Sequence, residues 1–446
     1  MGKRYKFQKF YGKINFKGGG IMNIAKFSLH MLLKEKGKSF FYIFSCTFSV
    51  MVMFLFLNIL YNTNLQETDL IYAGNFNNVF SIMLSFLVMA VIVGMSFYAY
   101  NFYLTSQTKE IGIFLLGGSG LLKIFWYLFV QNTVIFLFAL VIGLVLGHVI
   151  VPVVNAFINF VMGANYPIFI YHPAAFWGTV VMVAMTLFYL AFVSTGFIHR
   201  NEIKDLMGMT REIAKKDDRI IALPSAVYIF FMVIPFYLYL TCDEPQLTAV
   251  VVFVGLLAGF NGFCKYVFPI IVEKLQRKVL IDKKFALISS AHVHHDLVQS
   301  CTSLLFFLII ALFMNTYVVS NVNNLLHMAL IIVAYISLII SVIMSFYYKM
   351  MLVGGQHKQT FKHLFKMGYK KDEIRKMIKQ EVVIIYFLAF LVAFVHILLF
   401  YIGCISKQMI SIEWAMFNMS IFIIAIVVCG LVNYFTYKKE ILKEIR

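Results

Sequence analysis

Long unbroken apolar runs, separated by short polar segments, dominate this chain. They lie at 39–61, 79–104, 124–154, 174–198, 220–241, 247–272, 301–320, 328–348, 382–403 and 414–436. At about 1.5 Å per residue, roughly 20 helical residues cross a hydrocarbon layer about 30 Å thick. The runs are continuous, whereas barrel strands alternate over about ten residues, and lipid offers no water to an open backbone. The pattern therefore predicts an all-α, polytopic membrane protein with ten transmembrane helices.

Charge orients these spans. With the first residue inside, all but two of the 38 Lys and Arg residues fall in loops assigned to the cytoplasm, the exceptions being Lys265 within a span and Lys407 outside. The positive-inside rule then puts both termini in the cytoplasm, and an odd number of spans would break the asymmetry. The net charge of +18 is divided among short juxtamembrane loops facing anionic lipid, which excludes a basic nucleic-acid face on a folded domain. The hydrophobic share of 61% against 13% charged excludes an ordinary soluble protein.

The six cysteines form no CxxC and mostly lie in spans, as packing residues. Only Cys242 and Cys404 sit near outer ends, where one disulfide is conceivable. Residues 1–21 are basic and lack the apolar core of a secretory signal. "KGGGIM" can be back-translated into a purine-rich ribosome-binding sequence ahead of Met22, so translation is open between Met1 and Met22.

A shift of 250 residues pairs Gly118 with Gly368, Ile124 with Ile374, Ile135 with Ile385, Ala139 with Ala389 and Gln131 with Glu381. Each of these stretches follows a span and a polar segment, and leads straight into the next span. The reading is two parallel four-helix repeats joined by a two-helix insert. A basic N-terminal segment, 1–38, leads into a first unit, 39–219, with a cytoplasmic tail. The insert is 220–272 and the second unit 273–446. An even number of spans between the units keeps them the same way up, unlike inverted transporter repeats.

Each unit carries a cytoplasmic elbow. In "TKEIGIFLLGGSG", Ile111, Phe114, Leu115 and Gly118 keep helical spacing along the membrane surface while Lys109 and Glu110 face water. Gly117, Gly118 and Gly120 permit a left-handed cap and a reversal. The second elbow repeats the device with Phe361, Leu364, Phe365 and Gly368. "YKKDEIRKMIKQE" follows, with Asp372 and Glu373 in its first turn and an apolar stripe of Ile374, Met377, Ile378 and Val382. On amphipathicity alone these are interfacial anchors; their duplication makes them handles for a force applied from inside.

"KEIGIFLLGGSG" with Gln131 resembles the "KEIGILRALGAS…LLE" pattern of FtsX-like permeases of the MacB and BceB type, and "FKHLFKMGYKKDEI" with Glu381 resembles it more loosely. The span order and the lead-in "MNIAKFSLHMLLKEKGKSFFYIFS" look most like the BceB-like branch of bacitracin and lantibiotic resistance. The resemblance implies a permease subunit of an ABC transporter in the bacterial cytoplasmic membrane, worked by a separate cytosolic ABC ATPase, in two copies, that binds ATP and Mg. The elbows would be its docking levers: Lys109, Glu110, Gly117 and Gly118 in the first, Phe365, Gly368, Asp372 and Glu373 in the second. Implied partners also include a membrane histidine kinase, membrane lipids and a peptide or lipid-linked ligand. BceB-like permeases carry a large extracellular domain between spans 7 and 8, where this chain has only "NVNNLLH", 321–327, so a ligand would meet the spans or a partner. The alternatives are a sensory or scaffold subunit acting on a histidine kinase without transport, and a secondary transporter.

Other polar residues weigh less. The chain has no GxxxxGK[ST], "GGSGLLK" having the wrong spacing, so no nucleotide site and no enzyme activity are expected of it. No paired acids lie mid-membrane for ion coupling, and no Ser/His/Asp or Cys/His arrangement supports hydrolysis. His292, His294, His295 and Asp296 are read as a polar lead-in and no metal site is assigned, since only 292 and 295 share a helical face. Gln131 and Glu381 are a span-mouth pair, Glu381 either snorkelling, pairing with a lysine such as Lys379, or coupling elbow to span. Lys265 can snorkel, and His148 and His396 are packing or hydrogen-bonded residues.

Overall fold

The computed structural model describes residues 28, 32, 36–62, 77–108, 111–112, 115, 120–200, 224–241, 245–277 and 284–444. Among these the regular structure is entirely helical. In chain order the helices are α1 (Lys36–Tyr61), α2 (Asn77–Ser106), α3 (Leu121–Met162), α4 (Pro173–Arg200), α5 (Ser225–Thr241), α6 (Pro245–Gly262), α7 (Phe268–Leu275), α8 (Lys284–Ser320), α9 (Leu325–Lys366), α10 (Lys371–Ser406) and α11 (Ile412–Glu444). A π-helical turn, Phe263–Val267, joins α6 to α7 and carries Lys265, whose side chain is exposed as its snorkelling role requires.

Among the described residues eight helices are long and apolar enough to cross a membrane, which makes this a multi-pass architecture. The expected fifth and seventh spans are represented by shorter apolar segments, Ser225–Thr241 and Leu304–Ser320. The second of these is only the end of the 37-residue α8, whose first half is the polar lead-in. The expected break between span and elbow in the second half of the chain is also absent. α9 runs for 42 residues without interruption, about 63 Å and so twice the hydrocarbon thickness. No proline interrupts it, and Gly354 and Gly355 continue it.

Small residues set the closest approaches. A Cβ at Gly143 or Gly147, one turn apart on α3, would lie 2.8 Å from Val50 Cβ or 2.6 Å from Phe54 Cδ1 of α1. Without a hydrophobic drive between helices in lipid, such contacts supply the dispersion energy of association. Buried polar groups are tied together. Tyr42 stacks on Tyr103 with centroids 4.7 Å apart, Tyr100 bonds Ser194, and Asn315 joins Tyr335 and Tyr401. His148 is hydrogen-bonded to the Leu144 carbonyl and sandwiched between Phe54 and Tyr171, and His396 meets Tyr239 and Phe236, both as expected of packing residues. Cys404 is a buried free thiol; Cys242 lies outside the described residues.

α1 packs against α2, α3 and α4, and α8 against α9 and α10; α3 rests on α4 as α10 rests on α11. α9 also packs against α1, α2 and α3, making it the most enclosed helix of the bundle. The intervening helices α5 and α6 pack on each other and against α10 and α8 respectively. α8 and α9 are joined by a turn at 321–324, closed by Asn324, whose side-chain oxygen accepts the His327 N–H at 3.1 Å.

Candidate functional site

At the basic end of the bundle α9 stops because Gly368 turns left-handed, with φ of 99°. The Tyr369 N–H reaches back to the Leu364 carbonyl at 3.2 Å and the Gly368 N–H to that of Phe365 at 3.1 Å, closing the last turn. α10 then starts within three residues. Glu373 Oε2 accepts the Lys370 N–H at 2.7 Å, and Asp372, 80% exposed, holds Arg375 at 2.8 Å. Two acids in a first turn also complement the helix dipole. The second elbow is thus a tight reversal between two long helices, with Asp372 on its rim.

Its apolar stripe does not lie along a membrane surface. Phe361 and Leu364 are buried in the bundle, as is Ile111 in the first elbow, while Leu115 is half-buried and Phe365 is exposed; Phe114 lies outside the described residues. Because α9 is continuous, its stripe packs inward and not onto lipid. Ile374, Met377, Ile378 and Val382 are buried as their spacing predicts. Gly120 is extended, with φ of −65° and ψ of 158°, so it caps α3 without a left-handed turn. Lys109, Glu110, Gly117, Gly118, the tail 201–219 and most of the N-terminal lead-in lie outside the described residues.

Directly beneath the second elbow four helices bring polar groups together. Glu381, read as snorkelling, pairing with a lysine such as Lys379 or coupling elbow to span, accepts a hydrogen bond from Tyr437 of α11 at 3.0 Å and faces His292 Nδ1 of α8 at 3.3 Å. Lys379 is exposed on the other side of α10, at the rim of an apolar groove of about 500 Å³ between α10 and α11. His357 of α9 stacks on His292 with centroids 4.1 Å apart, and its Nε2 lies 2.8 Å from Asp296 Oδ1. Phe361 covers the pair edge-on at 5.5 Å from His292. Both carboxylates are 1% exposed. Burial disfavours the charged His357 imidazole, but the Asp296 hydrogen bond and the charges of Asp296 and Glu381 prevail and raise its pKa above the usual histidine value.

His292 therefore stands with His357 and Glu381 from other helices; nothing is described of the His294 and His295 side chains. The sequence did not single out His357 or Tyr437. The fixed shift was the available signal. Tyr42, Cys46, Gln107 and Gln131 stand 250 positions before His292, Asp296, His357 and Glu381, and all are buried. In the first set Gln131 Nε2 donates to Tyr127 Oη at 2.9 Å and Tyr42 Oη to Asn132 at 3.4 Å. The earlier positions are hydrogen-bonding and uncharged; the later ones are ionisable.

The cluster is built as a latch: it joins lead-in, elbow helix, span mouth and last helix. Residues 78–201, from the start of α2 to the end of α4, match the family model FtsX-like permease C-terminal. Over 126 residues, 28% of this chain, the sequence is 30% identical to the bacitracin export permease protein BceB of Bacillus subtilis (strain 168), and the match spans 19% of that relative's length. The chain thus resembles FtsX-like permeases of the BceB type, with the likeness carried by α2, the first elbow, α3 and α4.

Proposed function

We propose that this chain is the membrane permease subunit of an ABC transporter, inserted in the bacterial cytoplasmic membrane with both termini and both elbows on the cytosolic side. The observation that carries the reading is the FtsX-like match across the first elbow and its flanking spans. The second elbow supports it. α9 projects 18 residues beyond its apolar stretch, which ends at Tyr348, before reversing at Gly368. A lever of about 27 Å built this way transmits displacement without bending. Two units in parallel orientation, 39–219 and 273–446, would offer one elbow to each of two ATPase copies. ATP and Mg then bind in that partner, and nucleotide-driven closure shifts the bundle between two packings.

The relative's bacitracin export supports antimicrobial peptides or lipid-linked antibiotics as the substrate class. With a four-residue turn between α8 and α9, ligand capture falls to the spans and the outer loops, or to a partner protein. Co-expression with an ABC ATPase encoded beside it, followed by purification in lipid nanodiscs, tests the reading. The expected result is a stable complex whose ATP hydrolysis responds to bacitracin-like peptides. Failure to assemble with such an ATPase, with transport driven by an ion gradient alone, would refute it. An assembled complex that changes kinase activity yet moves no peptide would favour a sensory role.

A further inference from the structure

Asp296 and Glu381 bring two carboxylates into a site where each is 1% exposed, and a buried carboxylate persists as an anion only when compensated. Asp296 meets His357 Nε2, while Glu381 faces His292 and accepts a hydrogen bond from Tyr437. One ring nitrogen of His292, one of His357 and one carboxylate oxygen of Glu381 all lie within 4.8 Å of one another, on three different helices.

We infer that His292, His357 and Glu381 form a binding site for a divalent cation of the zinc type, tying α8, α9 and α10 together under the second elbow. Two imidazoles and a carboxylate suit a borderline cation such as zinc, whereas calcium and magnesium demand mostly oxygen ligands. Zinc binds such ligands at about 2 Å, so they stand about 3.3 Å apart. The three ligand atoms, within 4.8 Å of one another, would have to draw in by side-chain rotation to reach that spacing. Asp296, hydrogen-bonded to His357, acts as the outer carboxylate that orients a ligating imidazole. His292 and His357 side chains retain 12% and 10% exposure, leaving the ion a route from solvent.

The equivalent positions in the first half argue against a packing requirement. Tyr42, Cys46, Gln107 and Gln131 fill the matching buried sites with groups that need no counter-ion. A bundle of this design can therefore be built without carboxylates or imidazoles there. Four ionisable side chains at the four corresponding places in the second half form a set with metal-ligand chemistry.

The test uses the full chain in nanodiscs, purified through a tag without histidines, stripped with a chelator and titrated with zinc or cobalt(II) alone. The expected result is about one ion per chain by elemental analysis, intense visible cobalt bands of a tetrahedral site, and a higher melting temperature with zinc. Glu381→Gln and His292→Ala should weaken zinc binding at least about tenfold, while His292→Cys, which restores a ligand, should recover it. Monodisperse elution and an unchanged helical spectrum of the metal-free variants keep a folding defect separate from a ligand defect. Wild-type chain that takes up no stoichiometric ion, or that binds it equally after both His292→Ala and Glu381→Gln, overturns the inference.

Discussion

The phenol of Tyr437 donates to Glu381 Oε1 at 3.0 Å, fastening the last helix to the mouth of α10 at a carboxylate that water barely reaches. A hydrogen bond to a buried charge is worth about 1.5–3 kcal/mol, and its loss leaves the acceptor unpaired. Tyr437→Phe is expected to lower stability by about that amount in detergent unfolding. In a double-mutant cycle with Glu381→Gln the two changes should be strongly non-additive. Additive losses would mean that α11 is held elsewhere.

Gly403 of α10 lies against the backbone of α5. An added Cβ would overlap the Tyr239 carbonyl oxygen, which cannot swing aside as a side chain can. Gly403→Ala is expected to separate α10 from α5 and cost about 1–3 kcal/mol by overpacking. Gly94→Ala on α2 meets nothing within 4 Å, so it should be neutral or stabilise by up to about 1 kcal/mol through helix propensity. Melting curves of the two variants side by side check the contrast.

Gly368 makes the reversal between α9 and α10 with φ of 99°, a region that costs a side-chain-bearing residue about 1–2 kcal/mol. No neighbour lies within 4 Å of a Cβ there, so Gly368→Ala should act through backbone strain alone. The expected effect is a modest loss of stability with increased protease cleavage between α9 and α10. In the assembled transporter it should also lower ATP hydrolysis coupled to substrate. An unaltered elbow by both measures would assign the turn no mechanical role.

Apolar run length made most of the spans legible in the sequence, and helical spacing made the buried stripe Ile374, Met377, Ile378 and Val382 legible. Gly368 was readable as a left-handed stop because a glycine ended the periodic segment. The continuity of α9 was not, since an amphipathic end to an apolar helix looks the same whether it bends along lipid or continues straight. The latch was hidden for another reason. His292, His357, Glu381 and Tyr437 each sit singly on a different helix, where one polar group is unremarkable, and only packing brings them within reach. The shift of 250 residues carried the missing information, because it aligns all of them but Tyr437 with buried polar or aromatic positions of the first half.

If the elbows receive an ATPase, the exposed acid on the rim should matter to assembly and not to folding. Asp372 is 80% exposed and among the described residues its ion pair is local, with Arg375 at 2.8 Å; such surface pairs contribute about 0–1 kcal/mol. Asp372→Lys should therefore leave the melting temperature within a few degrees of the parent while weakening co-purification of the ATPase about tenfold or more, as a like-charge or unpaired contact at an interface does. Phe361→Ala reverses the pattern. It removes a fully buried ring beside His292 and should cost about 3–5 kcal/mol of stability before any partner is added. Equal ATPase capture by the parent and Asp372→Lys, at matched protein levels, would move the docking surface away from the rim of this elbow.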